Sequence, residues 1–495
     1  MRILFVVPTL FYSEPMGVMQ LSAICKAAGH QTKLASLQKH DLRAMLDEFR
    51  PDIVGYSVMS PDYIRFEHAD RAVRSWSRKS GHKVVRVMGG PHPTFFPAVL
   101  QQLELDAICI GEGDESILPI IRAVEQGLPL NGIPNVATLE QPEPTKALVP
   151  DLDDLPFLDR DILYEADPEL LQSGLRSFQT MRGCPHKCTY CFNHAYNLMF
   201  KGEGRKIIRR RSVDNLLQEV KDVVRRYPDV RLIRFSDDVF GLRVDEWLEE
   251  FAERYPKEVG IPFYALQRAN SLTEDMARLL NKAGCRSLCM SIESGVEELR
   301  NKVLKRNMPD SLMIEAFNIS KKYNIKIIAS TILGIPGTTI EDDYNSFLFV
   351  RKVRPEAPQF VIFCPYPGTD LTEYANDLGV LSGTFDYSSS VYVAKSLLEQ
   401  YTAEEKEVQL RLMYLAPIFV FVPNFMMPLL KPLMKLPLTE FYRVVGHLFS
   451  SYIWGTRIYK GAAPKGIRNY MMAAIRAFTY MGARDRVDHL VDDEA

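Results

Sequence analysis

Short apolar runs alternate with helical patterns along most of this chain. That alternation points to parallel sheets covered by helices. Over residues 1–130 the strand candidates are Ile3–Val7, Thr32–Leu37, Ile53–Ser57, Val84–Met88 and Ala107–Ile110. Helical stretches Gly17–Ala28, Asp41–Phe49, Tyr63–Lys79 and Ala98–Leu103 separate them, and Ser116–Gln126 follows the fifth. A second series contains Leu175–Met181, Leu232–Ser236, Pro262–Leu266, Ser287–Ile292, Ile325–Thr331 and Gln359–Phe363. Helical patterns fill its gaps, among them Asp214–Arg226, Asp245–Arg254, Glu274–Ala283, Pro309–Tyr323 and Ile340–Val353. The expected fold class is α/β. A doubly wound parallel sheet spans 1–130, and a Pro- and Asp-rich linker spans 131–175, with a short β-excursion around Asn135–Leu148. A partial (β/α)6 barrel spans 176–375 and a mainly helical C-terminal region spans 376–495.

Composition narrows the class. With 495 residues, 46% apolar and 25% charged, the chain is neither disordered, collagen-like nor polytopic in a membrane. Its formal net charge of −2 provides no global field for nucleic acid, and no nucleic-acid partner is expected. The N-terminal MRILFVVPTLFYSE reads as a first strand, not a signal peptide. Eight cysteines are too sparse for a disulfide scaffold and suit a reducing cytoplasm.

Ligands of doubly wound sheets bind beyond the carboxyl ends of the strands. In the first sheet those loops carry Ser57, Ser60, Gly89, Gly90, Gly111, Glu112 and Gly113. Glycines there let backbone N–H groups approach a bulky ligand. No G-x-G-x-x-G follows the first strand, which disfavours a dinucleotide.

Three of the cysteines stand together in MRGCPHKCTYCFN, as Cys184, Cys188 and Cys191. Three thiolates in one loop form a soft-metal site. Zinc would recruit His186 or His194 as a fourth ligand, but no second ligand pair follows at finger-like spacing. A cubane cluster with one open iron suits the spacing better. The C-x3-C-x2-C pattern, with Tyr190 before the third cysteine, resembles the cluster loop of the radical S-adenosylmethionine (SAM) enzymes.

That resemblance gives meaning to the polar clusters at the barrel strand ends. The FSDDVF segment, with Asp237 and Asp238, matches the family's SAM amino-group position. LQRAN contributes Gln267, Arg268 and Asn270, and Glu293 and Ser294 match the ribose position. Gly334, Pro336 and Gly337 match the SAM-supporting glycine motif, and Tyr366 belongs to the segment lining adenine.

A flavodoxin-like domain ahead of such a barrel resembles the cobalamin-dependent subfamily, which includes methylases of unactivated carbon and an anaerobic magnesium-protoporphyrin ester cyclase. GYSVMS, VMGGPHPTFFP and ICIGEGDES match its cobalamin loops. The resemblance implies a 4Fe–4S cluster, SAM and cobalamin as cofactors. The axial-histidine motif D-x-H-x-x-G is absent, and TLFYSEPMG stands in its place, so cobalt is expected to lack a protein imidazole. His92 is expected to be packed or to touch the nucleotide tail. The implied activity is methylation of an unactivated carbon. The alternatives are a radical cyclase or rearrangement enzyme without methyl transfer and a non-enzymatic Fe–S or corrinoid-binding protein. A methylthiotransferase would need more N-terminal cysteines than Cys25 and Cys109.

The C-terminal region holds a charge-free run, Leu412–Leu430, interrupted by Pro417, Pro423, Pro428 and Asn424. Broken apolar helices are expected there, not a membrane span. An apolar pocket lined by Phe419, Phe421, Phe425 and Met426, closing over the barrel mouth, would suit a hydrophobic substrate. Lys431, Lys435 and Arg443 would then bind its anionic group or anionic lipid. Arg411–Gly482 carries nine basic residues and one acid, with interleaved aromatics, which suits peripheral contact with the inner membrane face. The expected partners are a small-molecule substrate and an external electron donor such as flavodoxin or ferredoxin.

Overall fold

The computed structural model describes residues 1–10, 14–202, 206–381 and 395–459. Strands β1 (Arg2–Val7), β2 (Gln31–Ser36), β3 (Ile53–Ser57), β4 (Val85–Gly89) and β5 (Ala107–Cys109) form a parallel sheet in the order β2-β1-β3-β4-β5. β6 (Val136–Ala137) adds antiparallel to β5. The central strand β1 is a near-continuous apolar run because both its faces are covered. Ile3, Phe5 and Val7 enter one core and Leu4 and Val6 the other. The order is that of flavodoxin, and it places the β1/β3 switch point where ligands bind.

The second series forms β7 (Leu175–Phe178), β8 (Met181–Arg182), β9 (Arg209–Arg210), β10 (Leu232–Phe235), β11 (Phe263–Leu266), β12 (Cys285–Cys289), β13 (Lys326–Leu333) and β14 (Ala357–Ile362). Six of them run parallel in the consecutive order β7-β10-β11-β12-β13-β14, the arrangement of a partial barrel. Phe235 and Phe263 join Phe240, Phe251 and Tyr255 in an aromatic core beneath the surrounding helices.

The run Leu175–Met181 is not one strand. It breaks after Phe178, and β8 pairs antiparallel with β9. The cause is Asp237, whose carboxylate accepts the Thr180 and Met181 N–H groups at 2.6 and 2.9 Å and turns the chain. The connector also packs more closely than a loose linker. Its helix Asp161–Ala166 contributes Ile162, Leu163 and Tyr164 to the core of the first sheet.

The C-terminal region takes a different place from the one expected. Helix Ala403–Phe419 starts at a capping box of Thr402 and Glu405, which satisfies its first N–H groups. It packs on helix Ile340–Val353 and β14, and on helix Thr439–Ile453 at Gly446, where a Cβ would stand 2.6 Å from the Tyr414 carbonyl oxygen. Ile453 and Ile458 meet Tyr264 and Ile328 of the barrel wall and Ala357 at the start of β14. Lys326 donates to the Arg457 carbonyl at 3.1 Å, and Arg457 donates to the Glu356 carbonyl at 3.3 Å. Lys326 and Glu356 stand where β13 and β14 begin. The described helices after Thr402 therefore run down to close the bottom of the barrel. The expected apolar pocket does not form. Phe419 is buried in the core, while Phe425 is 80% exposed on a short 3-10 turn. Among the described residues no helix is long and apolar enough to cross a membrane. The basic residues Lys460, Lys465, Arg468 and Arg476 lie outside the described residues, as do 382–394 of the connecting stretch.

Candidate active site

The cysteine loop follows β8 at the mouth of the barrel. Gly183 opens it at φ +94°, and a Cβ there would lie 2.4 Å from the Ile207 carbonyl oxygen, so only glycine fits. Thr189 ties the loop to the barrel, donating to the Val303 carbonyl at 2.8 Å and accepting from the Leu371 N–H at 2.9 Å. Cys184 and Cys188 are buried and Cys191 is half-buried. Burial pushes the Cys191 thiol up to about 12 and raises Cys184, and Cys188 adds to both shifts. The three sulfurs are thus close enough to feel one another. Among the described residues no three His, Cys, Asp or Glu side chains converge on the point that a single ion would occupy. His194 turns to Asp370 at 3.6 Å, away from the zinc set considered above. Three thiol donors in one loop, with His194 engaged elsewhere, fit three corners of a cubane cluster. The Arg268 guanidinium reaches Cys188 Sγ at 3.0 Å and stands ready to stabilise a thiolate.

Around this loop the strand ends divide into free groups and structural staples. Asp237 is a staple. It is buried, its acidity is lowered to a pKa of about 6 by desolvation, and both its oxygens serve Thr180 and Met181. It cannot hold the SAM amino group as expected. Asp238 is exposed, and its charge raises the Cys184 and Cys191 thiols, so it is the carboxylate left facing the cysteines. Gln267 is also structural, exchanging hydrogen bonds with the Gly241 backbone. Ser294 is fully buried and turns towards Ser346 and the Val296 backbone, so it is not available to a ribose.

Glu293 is held differently. Its backbone is left-handed at φ +64°, a strained state for a non-glycine residue. Its N–H bonds the Ser330 carbonyl at 3.0 Å and its carbonyl accepts from Ile332 at 2.7 Å, which fixes the strain. Oε1 accepts from the Tyr190 hydroxyl at 3.0 Å and faces the buried Arg306 guanidinium at 3.4 Å. Burial raises the Glu293 pKa and the Arg306 charge opposes it. Arg306, inside KRNM, was not visible from sequence. At the next strand end Gly334 has φ +69° and donates to Asp343 Oδ1 at 2.8 Å. Gln409 from the C-terminal region bonds Asp343 Oδ2 at 2.8 Å, and Gln400 accepts from the Gly337 N–H at 2.8 Å. Pro336 is buried between these braces.

The first domain contains a cavity of about 390 Å³ on the β1/β3 side of its sheet. Ser57, Gly89, Gly90, Gly111, Glu112 and Gly113 all line it. Its depth is apolar, with Phe5, Ile53, Ile117 and Ile120, which suits a planar ligand tail. No histidine is among its described lining residues. Ser60 does not line it, and instead bonds His92 Nδ1 at 3.1 Å. His92 is buried, its pKa lowered to about 4 by desolvation, and it stacks on Tyr63 at 4.7 Å. It is a packed histidine. Gly90 and Gly111 serve close packing, since Cβ atoms there would strike the Val58 backbone and the Phe200 ring. Glu112 is committed as well. Its carboxylate accepts from Arg209 at 2.6 and 2.8 Å and faces Arg182 at 3.4 Å.

These contacts join the two halves. Arg182 is bidentate to Asp114 at 2.9 and 3.1 Å, and it also lines the cavity. It stands two residues before Cys184. Phe95, beyond the Gly-Gly loop, stacks on Phe192, the residue after Cys191. The ligand slot of the first domain and the cysteine loop of the second therefore share a wall.

Comparison with known proteins meets this geometry. Residues 4–120 match the B12 binding domain model and residues 178–349 match the radical SAM superfamily model. The chain belongs to the cobalamin-dependent radical SAM family. An uncharacterised methyltransferase of Pyrococcus horikoshii is 28% identical over 81% of this chain and 87% of its own. The anaerobic magnesium-protoporphyrin IX monomethyl ester cyclase of Rubrivivax gelatinosus is 24% identical over 79% and 73%. Two solved folds are similar. The radical SAM methyltransferase TsrM of Kitasatospora setae, with cobalamin and a [4Fe–4S] cluster bound, has a TM-score of 0.61 at 17% identity, covering 77% of this chain and 75% of that one. The cobalamin-dependent enzyme OxsB with aqua-cobalamin bound has 0.67 at 15%, covering 99% and 78%. In this cobalamin-dependent radical SAM enzyme the three-cysteine loop and the apolar slot fit the cluster and the corrinoid tail that the family implies.

Proposed function

We propose that this enzyme transfers a methyl group to an unactivated carbon of a small organic substrate. When bound, the cluster, SAM and cobalamin supply reductive SAM cleavage, hydrogen-atom removal and a transferable methyl group. The chain's own residues bind, orient and shield. Cys184, Cys188 and Cys191 would hold three irons, leaving the fourth for SAM. Asp238 would hold the SAM amino end, Glu293 with Tyr190 would orient the ribose, and the Gly334–Gly337 loop and Tyr366 would border the rest. Ser57, Gly89 and Gly113 would line the corrinoid tail. Arg234 points into the barrel, since its neighbours Ile233 and Phe235 belong to the outer core. It is half-buried and donates to Ser236 at 2.9 Å, which leaves cationic N–H groups for an acidic group on the substrate. One electron per cleavage comes from a cytoplasmic donor such as flavodoxin or ferredoxin.

The observation that carries this reading is the shared wall, where Arg182 lines the slot two residues before Cys184. A cyclase reading rests on the Rubrivivax relative and keeps the same cofactors. Product analysis with SAM carrying a trideuterated methyl group separates the two. Methylation adds the label to the product; cyclisation does not. Changing Cys188 to Ala should abolish iron retention and SAM cleavage while cobalamin binding persists.

A further inference from the structure

Helix Thr439–Ile453 presents two apolar faces. Tyr442, Gly446 and Ile453 are buried, with Gly446 against helix Ala403–Phe419. Phe441, Val444, Leu448 and Tyr452 recur at helical spacing on the opposite side and are 61%, 37%, 53% and 58% exposed. The connection leading into this helix adds Phe425 and Leu429, exposed by 80% and 51%. Large apolar residues grouped in this way mark an interaction surface.

The charges along this segment are mostly basic. Residues 424–459 hold Lys431, Lys435, Arg443 and Arg457 against a single acid, Glu440; Lys431 is paired with Glu341 and Arg443 with Glu440, while Lys435 is exposed. Beside Asn424 and Phe425 lies a shallow depression of about 520 Å³, lined by Leu348, Arg351, Lys352, Arg354 and Asn424. Arg351 is spent on the Val420 and Val422 carbonyls at 3.2 and 2.7 Å, where it closes the end of helix Ala403–Phe419. Lys352 and Arg354 are exposed and have no carboxylate partner among the described residues.

We propose that this face docks the enzyme on a bilayer of anionic phospholipid. Phe425, Phe441 and Leu448 enter the interface, and Lys352, Arg354 and Lys435 meet phosphate headgroups. An apolar stripe bordered by unpaired cations is the pattern that binds such a surface, because burial and charge attraction act together. A protein partner or a second copy of this chain would have to bring its own acidic border to match. The face lies at the bottom of the barrel, on the side away from the cysteine loop. The inference is independent of which substrate is methylated.

The test is flotation of the full chain with vesicles of phosphatidylcholine alone or mixed equally with phosphatidylglycerol. The wild-type chain should float with the anionic vesicles, and raised salt should weaken the association. Lys352→Glu/Arg354→Glu and Phe441→Ser/Leu448→Ser should each lower the partition coefficient about tenfold or more. Unchanged cobalamin content would show that both variants fold. A wild-type chain that stays in solution overturns the proposal. Equal flotation with both vesicle types, or no effect of either variant, also overturns it.

Discussion

Phe192 stacks on Phe95 with ring centroids 4.6 Å apart and also meets Tyr366 at 5.1 Å. One aromatic ladder therefore links the corrinoid domain, the cysteine loop and the last barrel strand. Stacked rings hold relative orientation better than isolated aliphatic contacts. Changing Phe95 to Ala should leave iron, cobalamin and SAM cleavage near normal. Methyl transfer to substrate should fall about tenfold or more, because a small misplacement of reacting groups is costly. Parallel assays of 5′-deoxyadenosine and methylated product check this.

The Glu112–Arg209 pair crosses the same boundary with little solvent to screen it, Arg209 being 5% exposed. Arg209→Met should destabilise the chain by about 3–5 kcal/mol, because it leaves Glu112 without its main partner. The double variant Arg209→Met/Glu112→Gln should recover part of that loss. Urea unfolding of the three proteins measures the difference.

Glu293 and Arg306 are both buried beside the cysteine loop, where Tyr190 bonds Glu293. Glu293→Gln keeps a hydrogen-bond acceptor for Tyr190 but removes the charge opposite Arg306. SAM affinity should weaken about tenfold while iron content holds, as expected for loss of a charge-assisted acceptor. Equilibrium binding of SAM to cluster-loaded protein decides it, and an unchanged affinity would place the ribose elsewhere.

Asp343 predicts a pH effect away from the metal. Burial lifts its pKa from 3.8 to about 7, although Gly334 and Gln409 donate to it and oppose the shift. The folded chain thus binds this proton more tightly than the unfolded chain. Stability from this group is greatest below pH 3.8, declines as pH rises towards 7 and is level above it. Asp343→Asn should remove that slope. Gln409 Oε1 has no partner, so its amide can turn to accept from the new N–H. Asp343→Ala should cost about 1–3 kcal/mol by stranding the Gly334 N–H. Thermal melts across that pH range distinguish the two.

The sheets were legible because buried parallel strands are written as apolar runs. Ile53–Ser57, Glu274–Ala283 and Ile340–Val353 fall where the patterns place them. The three cysteines were legible because their spacing is itself chemistry. Roles that depend on tertiary proximity were not. Asp237 and Asp238 are adjacent carboxylates in sequence, and only folding shows that one staples β8 while the other stays free. Glu112 looked like a ligand contact because it sits between glycines, yet two arginines from the barrel claim it. Arg306, Asp343 and Gln409 carry no motif at all, and the loop motif around Phe95 does not say that its ring meets Phe192. The run Leu412–Leu430 was misplaced because apolarity alone does not say which surface it covers.

The central claim is methyl transfer from a corrinoid facing the cysteine loop. The most direct measurement is mass spectrometry of the cobalamin bound to the reduced, cluster-loaded enzyme after incubation with SAM carrying a trideuterated methyl group. The expected result is trideuteromethylcobalamin, with the label passing to product once substrate is added. SAM cleavage to 5′-deoxyadenosine with no label on cobalamin or product would contradict the claim and favour a cyclase or rearrangement.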